Sequence, residues 1–326
     1  MQSVNKDKIA RLAALTLILS YVELIIPRVI PFFRLGLGNA ALLSGLSSGL
    51  TFPAFMLLSL VKSVAANLMA GTLFSPFFIV SLCQSLSSAF VMFFLYKLSR
   101  CGKNSGRFFG IYGVSLAGAA VSAFVQIFLS SLYLGQGTFS LLGPMLLFNL
   151  ISGLITAAIA ENYMPKAFEA AYLAGIKEHT YSNATQNTPK KIIFLIALLT
   201  ASASVFLIKN LYILLAFLII SLTAQKISKR KILIIPHISL WIFVIVSSLL
   251  VPEGRILFSI LNLSITQNAL ISGIQKALRL SAVSAFSQCA ICIRPKENSL
   301  LALTLDYYKE ISDSLRNTKL GKKFIK

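Results

Sequence analysis

The sequence contains few acidic residues and almost no histidine. Its 326 residues include 10 Asp plus Glu and 2 His, and charged residues make up 12% of the chain. Hydrophobic residues make up 56%, and the mean hydropathy is +0.81. This composition supplies too little polar surface to cover a soluble globule, so it predicts a polytopic membrane protein.

Motifs for self-contained catalysis are also missing from the sequence. It has no G-x-x-x-x-G-K-[ST] phosphate loop and no D-D-x-x-D motif, and its two histidines do not form part of a Ser/His/Asp set. These absences argue against ATP hydrolysis or prenyl transfer by this chain alone. We therefore predict no catalytic residue and no cofactor, and any use of ATP would require a partner subunit.

The four cysteines lack the paired spacing of a zinc module. Cys289 and Cys292 form a single C-x-x-C, without a second pair and without an alternating strand and helix pattern around them. Buried free thiols are the ordinary interpretation of such cysteines. We predict no metal site.

The sequence does contain many apolar segments long enough to cross the roughly 30 Å of a hydrocarbon core. They predict an all-α membrane protein with about ten transmembrane helices in two modules. The first module, residues 1–164, has six predicted spans, and a cytoplasmic linker at 165–190 follows it. The second module, 191–293, has about four, and a basic tail helix occupies 294–326. The predicted spans are 12–27, 35–51, 53–69, 77–98, 108–134, 141–163, 192–208, 211–225, 232–251 and 269–293.

The basic residues fall mainly between alternate spans. With the N-terminus inside, the predicted cytoplasmic segments hold 23 of the 30 Lys and Arg, whereas the outer loops at 71–76 and 135–140 hold none. Positive loops stay in the cytoplasm, so both termini are predicted there, in a multi-pass protein of the cell membrane. Topology and anionic membrane lipid explain the net charge of +20, and no nucleic-acid partner is needed.

A set of polar residues inside or beside the first spans is the candidate substrate-binding site. Ionisable groups in hydrocarbon are costly, and those that persist usually face a cavity or one another. We predict a cavity near the outer face in which cations bind an anionic group and amides bind polar edges, with the uncharged turn at 71–76 as a lid. The candidate residues are Glu23, Arg34, Gly36, Gly38, Asn39, Lys62, Asn67 and Gln84.

Simpler explanations exist for the same residues. Arg34 could anchor to lipid headgroups, or form an ion pair with Glu23, which could also pair with Lys62. Each amide could serve only to join helices by a hydrogen bond. Arg34 lies at the predicted outer mouth of the first two spans, where the distribution of positive charge does not explain it, so a ligand or an ion pair explains it better.

Residues 10–163 resemble a known membrane family. The resemblance rests on residues 33–39 (F-R-L-G-L-G-N), 60–62 (L-V-K) and 71–76 (G-T-L-F-S-P). The family is labelled heptaprenyl diphosphate synthase component I, or Gx transporter, and is similar to the six-helix substrate-binding S components of energy-coupling factor transporters. This sequence departs from the family pattern at Gly38, where Ala is usual, and at Lys62, where Arg is more frequent and provides a bidentate fork.

The second half is loosely similar to the transmembrane T component of the same transporters. The similarity lies in residues 268–280 (N-A-L-I-S-G-I-Q-K-A-L-R-L) and 298–303 (N-S-L-L-A-L). The Ala-Arg-Gly motifs through which T components bind their ATPases are absent from the sequence.

The resemblances imply two functions. The first is a membrane transporter component that binds a small solute and depends on separate ATPase subunits. The second is a membrane accessory subunit of a heptaprenyl or polyprenyl diphosphate synthase, with a soluble prenyl synthase as partner. Both remain open from the sequence.

Overall fold

The computed structural model describes residues 2–25, 36–100, 110–164, 189–208, 210–228, 234–251, 254–260, 263–289 and 299–317. Its helices in the first half are α1 (Gln2–Ile25), α2 (Asn39–Ser47), α3 (Phe52–Ala70), α4 (Pro76–Ser99), α5 (Ile111–Leu134), a 3₁₀ helix (Gln136–Leu141) and α6 (Leu142–Asn162). The second half contains α7 (Pro189–Leu207), α8 (Leu211–Ile227), α9 (Ile234–Leu249), strands β1 (Ile256–Ile260) and β2 (Leu263–Thr266), α10 (Gln267–Cys289) and α11 (Leu300–Asn317).

Four described helical segments are long and apolar enough to cross a membrane. They are α3, α4, α5 and the continuous run Gln136–Asn162, which joins the 3₁₀ helix to α6. Two shorter apolar helices lie in the second half, at Leu211–Ile227 and His237–Leu249. The fold is helical, and the four long segments coincide with predicted spans of the first module.

Local sequence explains where the long helices begin and end. Pro53 and Pro76 occupy the first turns of α3 and α4, where a missing N–H costs nothing. Gly71 ends α3 in the left-handed conformation, with φ +70°, which a residue with a side chain adopts only with strain. The turn at 71–75 between these helices, which the sequence predicts on the outer side, is therefore short and fixed.

The outward faces of the long helices are apolar, and their inward faces combine apolar core residues with small polar ones. Phe94, Phe128 and Leu147 expose 62%, 60% and 63% of their surface, whereas Ser115 and Asn149 expose 4% and 6%. A soluble bundle would show the reverse arrangement. Lipid-facing apolar side chains around small polar interfaces are typical of membrane helices.

The second predicted span is much shorter than expected. The sequence predicts a helix over 35–51, but α2 has nine residues and is about 14 Å long, so it does not cross the core. Its end has a local cause. The Ser47 and Ser48 hydroxyls donate to the carbonyls of Ser44 and Gly45, and Gly49 follows with φ +75°.

The second half contains a hairpin that the sequence analysis does not predict. Strands β1 and β2 pair in antiparallel fashion, with Ile260 opposite Leu263 and an irregularity between Ile256 and Phe258. The sequence analysis places no span here, between the predicted spans 232–251 and 269–293. Residues 256–266 are rich in Ile and Leu, and short apolar segments are ambiguous between helix and strand.

The basic tail forms the predicted helix over most of its described part, α11, and packs on the first module. Leu303, Tyr307 and Ile311 are buried in one cluster with the apolar residues of α1 and α2. The Arg11 guanidinium lies 5.1 Å from the centre of the Tyr307 ring. The tail is thus part of the core and not a separate appendage. Residues 165–188 of the predicted linker lie outside the described residues, and the division into two modules remains a prediction.

Candidate functional site

A polar cavity of about 80 Å³ lies inside the first half of the chain, among α1 to α6. By the same measure one ordered water needs about 10–15 Å³, so the space would hold roughly five to eight waters. Five of the eight predicted residues line it, namely Gly36, Gly38, Asn39, Lys62 and Gln84. That these residues bind a substrate stays a prediction.

The backbone at residues 36–39 brings Asn39 to the middle of α3. Gly36 has φ +70°, and a Cβ at Gly38 would lie 2.7 Å from Ser20 Oγ and 3.2 Å from both Lys62 Cε and Thr16 Cγ2. Only a glycine fits this approach without displacing a neighbour. The segment lies beside the middle of α3, and its predicted place at the outer mouth of the first two spans stays a prediction.

Lys62 is the charged centre of this wall. Its ammonium donates a hydrogen bond to Asn39 Oδ1. Of the described residues that line the cavity, Lys62 alone carries a charge. Beside it, the Ser63 side chain is 2% exposed and its hydroxyl has no hydrogen-bond partner. A buried polar atom without a partner costs about 1–3 kcal/mol.

The rest of the wall is formed by hydroxyl and amide groups on α4, α5 and α6. Gln84 Nε2 lies 2.5 Å from Ser122 Oγ and 3.3 Å from Gln126 Oε1. Ser88 donates to the Gly118 carbonyl at 2.9 Å, and Ser115 donates to that of Gly153 at 2.7 Å. These bonds hold three helices together and leave their oxygens at the cavity.

Asn67 connects neighbouring segments by hydrogen bonds. It is fully buried, and its amide donates to the Ser63 carbonyl at 2.7 Å and to Ser81 Oγ at 3.1 Å. Its oxygen accepts from the Thr72 hydroxyl at 2.7 Å. Asn67 thus ties α3 to α4 and to the outer turn, which is the interhelical role that we considered as the simpler explanation.

Two predicted site residues cannot be placed. Arg34 lies outside the described residues. Glu23 is within α1, but its side chain is not among those described. Pairing between Glu23 and either cation stays a prediction.

The sequence analysis missed most of the hydroxyl wall. The signal was present as a stripe at helical spacing, with Ser81, Gln84, Ser85 and Ser88 on one face of α4. Similar stripes occur on α5 (residues 115, 119 and 122) and α6 (residues 149, 152, 153 and 156). Small polar residues pack well between membrane helices in any case, so each stripe alone did not indicate a cavity.

Helix α10 of the second half contacts the end of the cavity at the turn between α3 and α4. Ala70 lines the cavity, and its carbonyl accepts from Gln288 Nε2 at 2.8 Å. The Phe74 backbone N–H donates to Ser287 Oγ at 3.0 Å. The predicted lid turn is therefore held by the second half of the chain.

Comparisons with known proteins give two family matches. Residues 12–163 match the family described as heptaprenyl diphosphate synthase component I, as the resemblance predicted. Residues 190–291 match a family described as a domain of unknown function (DUF8519). Neither the search of curated proteins nor the search of solved structures gives a match to this chain.

Proposed function

We propose that this chain, whose residues 12–163 match the heptaprenyl diphosphate synthase component I family, is the solute-binding membrane component of a transporter. It crosses the cell membrane several times, with both termini in the cytoplasm. The first half binds a small polar solute, and the second half is the scaffold against which the binding module moves. Anionic lipid surrounds its basic cytoplasmic loops.

The observation that carries this proposal is a hydrophilic cavity enclosed by a bundle with an apolar exterior. Lys62 lies midway along α3, a depth at which placing a lysine costs about 3 kcal/mol on insertion scales. Small polar residues also serve helix packing, but packing alone does not require them to enclose a space together with an ammonium group. Solute binding accounts for both the space and the charge.

Energy for transport would come from separate ATPase subunits. The sequence contains no phosphate loop, so the chain does not bind ATP through that motif. The contacts of Gln288 and Ser287 with the outer turn give the second half a direct route to the cavity. ATP-driven movement of the scaffold would reach the site through them.

A second candidate is the role in the family's description, an accessory subunit of a heptaprenyl diphosphate synthase. One observation favours it. An apolar groove of about 660 Å³ runs between α8 and α9, lined by residues such as Leu222, Ile238, Trp241 and Ile245. A long prenyl chain suits such a groove better than it suits the polar cavity.

Co-purification distinguishes the two candidates. The full-length chain, tagged and expressed at its natural level, would be cross-linked in membranes, purified in mild detergent and analysed by mass spectrometry. Recovery of ATPase subunits supports the transporter component, whereas recovery of a soluble prenyl synthase supports the accessory subunit. Recovery of neither contradicts both.

A cavity variant provides the matched control. Lys62→Gln alters the interior of the first half and leaves the surface unchanged, so it should recover the same partners. Loss of the partners in this variant would mean that the substitution disturbs the fold, and the comparison would then be repeated with Ser63→Ala.

A further inference from the structure

The apolar groove in the second half of the chain is open at the protein surface. Helices α8 and α9 both pack on α10, whose Ser281 lines the groove, and they leave a space of about 660 Å³ between them. Ile234, Ile238 and Ile242 of α9 line this space and still expose 65%, 54% and 60% of their surface. An exposed apolar surface of this kind marks contact with another protein or with lipid.

The inside of the groove suits a long apolar chain. Trp241 Nε1 donates to Ser281 Oγ at 2.9 Å, so the indole N–H is bonded within the protein. The other described lining residues are aliphatic apart from His237. Ile234 and Val246 are twelve residues apart along α9, which is about 18 Å. One leaflet contributes about half of the roughly 30 Å hydrocarbon core, so the groove is long enough for one acyl chain of one leaflet.

A lysine lies on the groove side of α8 at one end of the groove. Leu218, Leu222 and Lys226 are four residues apart and therefore share one face of the helix. Leu218 and Leu222 line the groove, and Lys226, in the last turn of α8, is exposed. Ile234, the first residue of α9, lines the groove as well. The end of the groove at Lys226 is thus the end at which the chain connects α8 to α9.

The sequence around this end is basic. It contains no Asp or Glu between Glu178 and Glu253, and residues 229–231 (K-R-K) follow Lys226 closely. The distribution of Lys and Arg predicts this connection on the cytoplasmic side, where the anionic lipids of the inner leaflet attract basic segments. A groove for an apolar chain with a cation at its end is complementary to a lipid that has an anionic headgroup.

We propose that the groove between α8 and α9 binds one acyl chain of an anionic phospholipid of the inner leaflet, with the headgroup phosphate at Lys226. A zwitterionic phospholipid has the same chains without the net charge, so it binds less well. This site is separate from the polar cavity, and the proposal holds whether or not the cavity binds a solute.

Trp241 allows the occupant of the groove to be detected directly. It is the only tryptophan of the chain, and it lines the groove. Bromine atoms on an acyl chain quench the fluorescence of a tryptophan that they contact. The full-length chain would be reconstituted in vesicles of equal parts phosphatidylcholine and phosphatidylglycerol, with bromine on the chains of one lipid at a time. Quenching should be stronger with brominated phosphatidylglycerol. Equal quenching by the two lipids, or stronger quenching by brominated phosphatidylcholine, would overturn the proposal.

A pair of lysine variants tests the headgroup contact. Lys226→Gln should lower the preference for phosphatidylglycerol about fivefold, the contribution of one basic residue near an anionic membrane surface. Lys97→Gln is the matched control, because Lys97 is also an exposed lysine in the last turn of an apolar helix. It should leave the preference unchanged. An equal loss in both variants would mean that the overall charge of the protein attracts the lipid, which contradicts a site at Lys226.

A pair of double variants tests the acyl chain. Leu222→Phe with Ile238→Phe narrows the groove from both walls and should reduce quenching by either brominated lipid. Ile219→Phe with Ile235→Phe changes the same two helices at exposed positions that do not line the groove, and it should leave quenching unchanged. If the two double variants behave alike, the chain that reaches Trp241 does not lie in the groove.

Competition identifies the source of the phosphate. Additional unbrominated phosphatidylglycerol should relieve the quenching, and inorganic phosphate should have no effect. Geranylgeranyl diphosphate is the prenyl probe, and it should compete less well than phosphatidylglycerol. If it competes better, the groove is a prenyl diphosphate site and the phospholipid assignment fails. If inorganic phosphate alone relieves the quenching, the acyl chain does not determine binding and the proposal also fails.

Discussion

Replacement of Gly137 by alanine should weaken the contact between the two halves of the chain. Gly137 lies in the 3₁₀ helix after α5, against the end of α9. A Cβ built there would be 2.5 Å from the Ser247 carbonyl oxygen and 3.2 Å from Val251 Cγ2. The first neighbour is backbone, so it cannot rotate away, and the helices must separate by about 0.9 Å to restore an ordinary contact of 3.4 Å.

The expected cost is about 1–3 kcal/mol, the usual penalty for overpacking. At roughly 2–4 °C per kcal/mol, the unfolding midpoint should fall by about 2–12 °C. Trp241, the only tryptophan, is a suitable reporter. It packs on a cluster that joins Leu134 of the first half to Leu240 and Val244 of α9. Its fluorescence, followed during heating in mild detergent, should change at a lower temperature.

Gly143→Ala is the matched control. It lies six residues further along, in the first turn of α6, and a Cβ there meets no atom within 4 Å. The same substitution should leave the midpoint unchanged or raise it, since alanine favours a helix over glycine by up to about 1 kcal/mol. If the two variants unfold at the same temperature, the packing of the 3₁₀ helix on α9 is wrong.

Two further predictions concern the site wall and the second half. Gly36→Ala forces a side chain into a backbone with φ +70° and should cost about 1–2 kcal/mol of stability. A Cβ there would also lie 3.2 Å from Asn39 Nδ2, and an unaltered unfolding midpoint would contradict the placement of residues 36–39. Lys276→Met removes a donor to the Leu134 carbonyl and should cost about 1.5–3 kcal/mol in the Trp241 assay. The exposed Lys226→Met should be neutral, and an equal effect of both would show that charge alone is responsible.

The long helices of the first half could be predicted from the sequence because their signals are local. Apolar segments at 53–69, 77–98 and 108–134 correspond to α3, α4 and α5. Pro53, Pro76 and Gly71 mark their ends through backbone geometry that needs no tertiary contact. For these three helices, the predicted first and last residues differ from the observed ones by at most three positions.

The position of α2 could not be predicted in this way. The apolar run at 35–51 is long enough for a span, but the helix ends at the Ser-Ser-Gly segment 47–49. The hydrogen bonds of Ser47 and Ser48 end it there, and serines are also common inside helices, so the sequence did not reveal the break. With α2 half as long, residues 36–39 lie beside the centre of α3. The pairing of Asn39 with Lys62 thus depends on a tertiary contact between segments 23 residues apart.

The hydroxyl wall could not be recognised for a different reason. Serine stripes are equally suited to close helix packing and to a cavity. What distinguishes the two is whether the facing helix supplies large side chains or glycines. Gly118 and Gly153 leave the space into which Ser88 and Ser115 direct their hydroxyls, and this is visible only once α4, α5 and α6 are assembled.

Two of the basic residues outside the predicted cytoplasmic segments, Lys276 and Arg279, donate hydrogen bonds to backbone carbonyls. Lys276 donates to the Leu134 carbonyl at the end of α5, and Arg279 donates to the Ile208 carbonyl just after α7, at 2.6 and 3.2 Å. Helix ends carry unpaired carbonyls and a partial negative charge, so cations are favourable there. These two cations cap helices, and they do not weaken the argument that positive loops face the cytoplasm.

Helix α10 carries both cations and also Gln288, which donates to Ala70 at the end of α3. One helix therefore fixes the ends of α3, α5 and α7 through side chains spaced along its length. A movement of α10 relative to the first half must break the Gln288–Ala70 and Lys276–Leu134 bonds together. The wall residue Ala70 would then lose its partner at the moment that α10 moves, which links the position of the second half to the state of the cavity.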